Sequence, residues 1–138
     1  MKQIAKQTHK WLVLFIGVGT WVQMFLAGIW HAEVVSTPEA HVFFGLGLLA
    51  SSLLALIAAA VAGLPKKYIV QTAVLFVLIL LQPILIEQRR MGLPILSAFH
   101  TLNAAFVGMT AGALTVMVRG GSHVERDSEK ELSVALGD

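Results

Sequence analysis

Four long stretches of this 138-residue chain contain no Asp, Glu, Lys or Arg, and they limit what the chain can fold into. Each is about 20 residues long or longer, the length that a helix needs to cross a hydrocarbon core of about 30 Å. Because lipid offers the backbone no hydrogen-bond partner, an isolated apolar stretch of this length must be helical. The sequence therefore predicts a multi-pass membrane protein with helices at about residues 11–31, 41–63, 68–88 and 96–118.

The composition agrees with a membrane location and excludes several kinds of chemistry. Hydrophobic residues make up 57% of the chain and charged residues 13%, against roughly 45–50% and about 25% in soluble domains. The absence of cysteine excludes disulfides, thiolate metal sites and iron–sulfur clusters. The sequence has no glycine-rich phosphate loop and no His-Glu-x-x-His pattern, and each predicted span is uncharged at its centre, which argues against a pump. The sequence offers no candidate catalytic residue, so an enzyme is the less favoured class without being excluded.

Basic residues predict how the helices are oriented, because cytoplasmic segments next to membrane helices carry an excess of Lys and Arg. Only Arg89 and Arg90 fall on one side of the predicted helices. Eight basic residues fall on the other side, namely Lys2, Lys6, Lys10, Lys66, Lys67, Arg119, Arg126 and Lys130. We therefore expect both termini in the cytoplasm, residues 119–138 as a polar cytoplasmic tail, and a first helix that is retained rather than cleaved as a signal peptide.

The short connections predict the arrangement of the helices. Helices joined by short loops are antiparallel neighbours, so we expect residues 1–118 to form an all-α, up-down-up-down four-helix bundle. Helices in lipid pack through small residues. Two rows of small residues are expected to face the interior: Gly45, Ser52, Ala55 and Ala59 on the second helix, and Ala104, Gly108 and Gly112 on the fourth. No internal repeat is evident in the sequence.

Two glutamines are expected to face the interior, because a polar side chain inside a membrane span needs a partner. Gln23 lies on the first helix, and Gln82 lies on the third helix on the same face as Gln71. Gln82 precedes Pro83, whose ring removes a backbone donor and predicts a kink. Each glutamine either hydrogen-bonds to a neighbouring helix or belongs to a binding site.

The five histidines divide into two groups. His9 and His123 lie outside the predicted spans among polar residues and are expected to be solvated. The predicted topology gathers His31, His41 and His100 at the outer interface. Because the second and fourth helices are diagonally opposed in such a bundle, we expect His41 and His100 to face each other across the interior, with His31 nearer the rim.

His41 and His100 are candidate ligands for the iron of one haem b. Two neutral imidazoles from facing helices commonly hold haem iron, and a small residue one turn below each histidine leaves room for the porphyrin. The other residues expected there are Gly45, Asn103 and Ala104 beside the histidines, Arg89 and Arg90 toward the propionates, and Phe43, Phe44 and Phe99 against the ring. Two other interpretations stay open: structural hydrogen bonds from these histidines to a Gln or Asn, and a metal site formed by His31, Glu33, His41 and His100.

Four short motifs carry a resemblance to a known family. They are Gln23-x3-Ala27-Gly28, His41-x3-Gly45, Gln82-Pro83 and Ala98-x-His100-x2-Asn103-Ala104. Over roughly residues 11–117 the chain resembles a family of small bacterial four-helix membrane proteins catalogued as a domain of unknown function. The resemblance implies a four-helix fold in the bacterial inner membrane and brings no activity with it.

The placement of one histidine on each of the second and fourth helices is also similar, in architecture, to the haem arrangement of b-type cytochromes. Those bundles carry two histidines per helix for two haems. The inner halves of these two helices contain no histidine here, so the sequence supports one haem at most. Two functions follow: a haem protein that transfers electrons, or a non-catalytic structural or accessory subunit of a larger membrane complex. Neither involves nucleic acid.

Overall fold

The computed structural model describes residues 1–136, and the side chains of residues 1–120. Four helices make up this part of the chain: α1 (Lys2–His31), α2 (Glu39–Ala62), α3 (Lys66–Glu87) and α4 (Pro94–Leu136). The described residues form no strand. Each helix contains a segment that is long and apolar enough to cross a membrane. The predicted all-α class with four spans is therefore confirmed.

The helices extend further into the polar parts of the sequence than predicted. α1 begins at Lys2 rather than near residue 11, and α4 continues through Gly120 to Leu136, the segment that we expected to be a polar tail. Neither extension contains a proline. A change from apolar to polar side chains alters the environment that a helix prefers, but it does not interrupt the backbone hydrogen bonds.

The helices form a closed ring of antiparallel neighbours. α1 packs against α2 and α4, and α3 packs against α2 and α4, so the diagonal pairs are α1 with α3 and α2 with α4. We call the end that carries the connections at residues 32–38 and 88–93 the loop end. The opposite end, which carries the start of α1 and the turn at residues 63–65, is the turn end. At that turn Gly63 takes a left-handed backbone conformation with φ of 65°, which glycine adopts without strain.

The closed core of the bundle lies toward the turn end. Ile16, Leu75 and Leu114 are fully buried there. In contrast, residues 21–47 and 80–102, which form the loop-end part of the bundle, contain no buried residue. On the outer surface, large apolar side chains such as Trp21 and Met109 are more than half exposed, as expected for helices surrounded by lipid.

The rows of small residues are interior on α2 and only partly interior on α4. Ser52, Ala55 and Ala59 are buried as predicted. Gly112, however, faces outward, and a Cβ added there would meet nothing within 4 Å. The buried row of α4 is instead formed by Asn103, Val107, Ala111, Leu114 and Val118. The prediction for Gly112 was wrong because larger apolar residues on a neighbouring face of α4 fill the core.

The loops of the two helical hairpins, α1–α2 and α3–α4, share one hydrogen-bond pattern. The N–H groups of residues 32, 33 and 34 donate to the carbonyls of residues 28, 30 and 29, and residues 91, 92 and 93 donate to residues 87, 89 and 88 in the same order. Each group in the second loop follows its counterpart by 59 residues. Glu33 and Gly92, which this offset also relates, both have positive φ, at 58° and 78°.

The same offset relates the buried positions of the two hairpins. It pairs Val13, Ile16 and Thr20 of α1 with Thr72, Leu75 and Ile79 of α3, and Leu48, Ser52, Ala55 and Ala59 of α2 with Val107, Ala111, Leu114 and Val118 of α4, all of them buried. The chain is therefore built from two hairpins related by an approximate two-fold axis along the bundle. The repeat is not evident in the sequence because it lies in backbone pattern and burial, while the paired residues mostly differ in type.

Candidate functional site

Two histidines meet in the interior at the loop end. His41 lies in the first turn of α2, His100 lies about two turns into α4, and their ring centroids are 6.4 Å apart with an edge-to-face angle of 66°. The structure thus brings the two predicted ligands together across the α2–α4 diagonal. His31 lies at the rim, where its side chain is exposed and its ring contacts Trp30.

Each of the two imidazoles is held by a main-chain carbonyl on the preceding helix. His41 Nδ1 lies 3.2 Å from the Gln23 carbonyl oxygen, and His100 Nδ1 lies 3.1 Å from that of Gln82. A carbonyl oxygen only accepts, so we assign the proton of each ring to Nδ1. The lone pair of each imidazole is then on Nε2, the atom that is free to bind a metal.

The glutamine side chains form hydrogen bonds to the main-chain carbonyls of the same two histidines. Gln23 Nε2 donates to the His41 carbonyl at 2.8 Å and lies 3.4 Å from His41 Nε2. With its amide oriented so that both atoms are satisfied, Gln82 donates to the His100 carbonyl at 3.1 Å and accepts from the Ala104 N–H at 3.2 Å. The Gln82 nitrogen also lies 2.9 Å from His100 Nδ1, but that atom donates its own proton to the Gln82 carbonyl, so we assign the amide proton to the His100 carbonyl.

The small residues below the histidines make room for these glutamines. A Cβ on Gly45 would lie 2.7 Å from Gln23 Nε2, and Ala104 is the residue whose N–H binds Gln82. The space beside Gly45, which the sequence assigned to a porphyrin, is therefore occupied by an amide. Gln23 Oε1 is buried and has no hydrogen-bond partner among the described residues.

Asn103 serves the packing of α4 on α3. Its Nδ2 donates to the Leu78 carbonyl at 2.7 Å, and the residue is buried. Leu78 lies five residues before Pro83. The ring of Pro83 leaves the neighbouring Ile79 carbonyl of α3 without its usual backbone donor. α3 nevertheless continues through Pro83 to Glu87. Asn103 thus supplies an interhelical hydrogen bond next to the histidine pair.

Several residues predicted at the site lie away from the histidines. Phe43 and Phe99 are 71% and 49% exposed on the outer surface, so the prediction that they pack against a ring was wrong. Phe44 is half-buried and contacts Phe15, with ring centroids 6.4 Å apart. The positions of Phe43 and Phe99 follow from the helical period: Phe43 lies two residues after His41 and Phe99 one residue before His100, so rotations of about 200° and 100° turn them away from the interior.

Arg89 and Arg90 are exposed in the loop between α3 and α4. Arg90 Nη1 lies 3.4 Å from Glu87 Oε2, and both side chains are more than half exposed. The two arginines therefore lie at the rim of the loop end, within the polar surface. For the proposed four-residue metal site, the described side chains contain no group of three or more His, Asp or Glu placed to hold a metal ion.

His9 is the residue that the sequence misplaced most. It is only 1% exposed, and its Nε2 lies 3.0 Å from Thr72 Oγ1 across the α1–α3 diagonal. Thr72 Oγ1 in turn donates to the Tyr68 carbonyl. The expectation of a solvated His9 was wrong because α1 begins before this residue and places it on the buried face with Val13. His123 lies outside the residues whose side chains are described.

A common spacing between glutamine and histidine is a sequence signal of this site. Gln23 and His41 are 18 residues apart, and Gln82 and His100 are separated by the same number. The 59-residue offset of the two hairpins also relates Gln23 to Gln82 and His41 to His100. The site is therefore made of two halves related by this offset, each with one glutamine and one histidine, although the side-chain amides differ in their further contacts.

The surroundings of the histidine pair differ between its core side and its loop-end side. On the core side lie four buried side chains that the 59-residue offset relates in pairs, Thr20 with Ile79 and Leu48 with Val107. Toward the loops, the interior-facing residues are all partly exposed. The arrangement thus places two imidazoles in a polar region of the interior, next to the closed core.

Comparison of the chain with family models, with curated proteins and with solved structures gave no match. The resemblance to a bacterial family of unknown function stays a prediction. The geometry of the site is therefore the basis for assigning a function.

Proposed function

We propose that this membrane protein binds one haem b between His41 and His100 and acts in electron transfer. The observation that carries the proposal is the separation of the two imidazole rings. Two collinear bonds of about 2.0 Å from a metal to imidazole nitrogens put the ring centroids about 6 Å apart. The observed separation is 6.4 Å, close to that value, and binding of the porphyrin would require the Gln23 amide beside Gly45 to move.

The hydrogen bonds of the two rings also suit metal ligation. Histidine ligands commonly donate their second ring N–H to a carbonyl or carboxylate, which fixes the tautomer and raises the basicity of the ligating nitrogen. Both rings have such a bond from Nδ1 to a glutamine carbonyl. The 3.4 Å contact from Gln23 Nε2 to His41 Nε2 is the longest in the cluster, and it is the contact that metal ligation at that nitrogen would replace.

The rest of the site provides charge. Positions 21–47 and 80–102 at the loop end contain no buried residue, so the histidines lie outside the closed core. Arg89 and Arg90 lie at this rim and would pair with the propionates, for which Arg90 exchanges its contact with Glu87. Gly45 leaves room for the Gln23 side chain, and the Ala104 N–H donates to Gln82. Asn103 joins α4 to α3 through the Leu78 carbonyl.

The donor set determines the class of chemistry. A haem bound there would supply a reversible one-electron change, and His41 and His100 would both serve as its iron ligands. With two protein ligands, the iron would have no position for oxygen or a substrate. The protein's own residues therefore bind and orient the cofactor and tune it through hydrogen bonds, as expected of an electron carrier rather than an oxidase.

Titration of the detergent-purified protein with haemin tests the proposal. We expect saturation at one haem per chain and, on reduction, the sharp visible bands of a low-spin b-type haem. The His31→Ala variant is a matched control, because His31 lies at the rim and should leave the stoichiometry unchanged. Absence of saturable binding to the wild type would contradict the proposal.

A second candidate function is that of a non-catalytic accessory subunit of a larger membrane complex. The observation that favours it is that Gln23 and Gln82 already hydrogen-bond to both histidines within the chain, so the cluster also works as a purely structural contact between helices. A colourless protein that is purified together with a larger membrane assembly is the result that this function predicts.

We also propose that the loop end faces outward from the cytoplasm, with both chain termini inside, because eight of the ten basic residues lie at or beyond the turn end. A reporter fused after Asp138 tests this. We expect activity from a reporter that requires the cytoplasm and none from one that requires export. The opposite pattern, with a fusion in the loop at residues 88–93 as the reciprocal control, would reverse the orientation and place the histidines on the cytoplasmic side.

A further inference from the structure

We infer that Gln23 and Gln82 are equivalent positioning residues that fix the tautomer and the separation of the two imidazoles. The inference deepens the proposed function and rests on it for the identity of the ligand. It concerns two side chains that do not touch the iron and act through His41 and His100. It also assigns a purpose to the repeated hairpin: each copy supplies one histidine and the glutamine that holds it.

The first support is that each glutamine holds its histidine at two places. Its main-chain carbonyl accepts from the Nδ1 of the ring. Its side-chain amide donates to the main-chain carbonyl of the same histidine, at 2.8 Å for His41 and 3.1 Å for His100. One residue therefore fixes both the backbone from which the imidazole projects and the rotation of the ring. Loss of the amide frees the start of α2 or α4 to move relative to the preceding helix.

The second support is that the repeat preserves this contact while most other paired positions differ in residue type. The glutamines and the histidines are identical in the two hairpins, whereas the paired core positions hold different residues, such as Ser52 and Ala111. The positions one turn after each histidine are Gly45 and Ala104, both small enough to admit the amide. The contact thus recurs as a unit of glutamine, histidine and small residue.

The test uses variants that keep side-chain length but remove the donor: Gln23→Met and Gln82→Met. Gln71→Met is the matched control, since Gln71 is a half-buried glutamine on α3 about 16 Å along the helix from Gln82. Substitution of a residue that hydrogen-bonds to a metal ligand typically lowers metal affinity about 10–100-fold. We expect each of the two variants to weaken haem binding in that range and by similar factors, and the control to stay within about twofold of the wild type.

A readout without haem separates this inference from the proposed function. In the unliganded protein labelled with ¹⁵N-histidine, we expect Gln23→Met to shift the ring signals of His41 from the Nδ1–H form toward a mixture of tautomers, and Gln82→Met to do the same for His100. The signals of buried His9, at the turn end, should not change and so report that the variant is folded. If the His9 signals are lost, Gln23→Asn and Gln82→Asn, which keep the amide but shorten its reach, replace the first pair.

The outcomes divide clearly. If the wild type binds no haem but the tautomer shifts occur, the positioning role stands and the proposed function fails. If haem binds and folded variants show unchanged ring signals and unchanged affinity, the proposed function stands and the positioning role is overturned. Unequal effects, with only one glutamine altering its histidine, would overturn the equivalence of the two halves.

Discussion

Replacing His100 with Ala is expected to abolish low-spin haem binding while leaving the bundle folded in the membrane. The imidazole is one of two proposed axial ligands, and Ala offers no atom in its place. The closed core around Ile16, Leu75 and Leu114 lies deeper toward the turn end, so the packing does not depend on His100. The optical spectrum of the haemin-treated variant is the measurement, together with its elution as a folded protein from gel filtration in detergent.

The two-fold relation gives this prediction an internal control. His41→Ala should cause the same loss, because the two histidines occupy equivalent positions, whereas His31→Ala should retain the full spectrum. A folded His100→Ala protein that keeps an unchanged low-spin spectrum would remove His100 from the ligand set. The accessory-subunit function would then be the better account of the cluster.

Replacing Leu75 with Ala is expected to lower the free energy of unfolding by about 2–3 kcal/mol. Leu75 is fully buried in the core, opposite its counterpart Ile16, so truncation leaves a cavity between the helices. Core Leu→Ala changes cost about 2–5 kcal/mol in soluble proteins. We expect the lower part of that range, because the unfolded helices remain in an apolar medium and only packing is lost. Unfolding by a denaturing detergent in mixed micelles measures it.

Leu81→Ala on the same helix is the matched control for this prediction. Leu81 is 37% exposed on the outer surface, where lipid or detergent replaces the lost atoms. Its unfolding free energy should stay within about 0.5 kcal/mol of the wild type. An equal loss of unfolding free energy in Leu75→Ala and Leu81→Ala would mean that the closed core does not stabilise the bundle.

The sequence was sufficient to predict the four apolar helices, because the length of a charge-free segment predicts whether it can cross a membrane. It did not reveal that α1 begins at Lys2, since a helix does not end where its surroundings become polar. The wrong prediction of a solvated His9, which is buried, followed from that error. Gly112 was misplaced for a different reason: the face of a helix that is buried depends on its rotation against neighbours, which small residues alone do not determine.

For the site, the pairing of His41 with His100 was predictable from topology and depth. Hydrogen bonds from these histidines to a Gln were one of the open interpretations, and the structure contains them. Their route through main-chain carbonyls was not predictable, because a hydrogen bond to a main-chain carbonyl leaves no mark in residue type. The common 18-residue spacing of Gln23 and Gln82 to the histidines was visible in the sequence. The repeat behind it was hidden because paired positions such as Val13 and Thr72 share burial but not chemistry.

The electron paramagnetic resonance spectrum of the oxidised, haem-loaded protein tests the central claim most directly, because it reports the axial ligands of the iron itself. The account predicts a low-spin ferric signal typical of two imidazole ligands, at one spin per chain, that is lost equally in His41→Ala and His100→Ala. A high-spin signal in the wild type, or a low-spin signal that survives both substitutions, would contradict the assignment of these two histidines as the ligands.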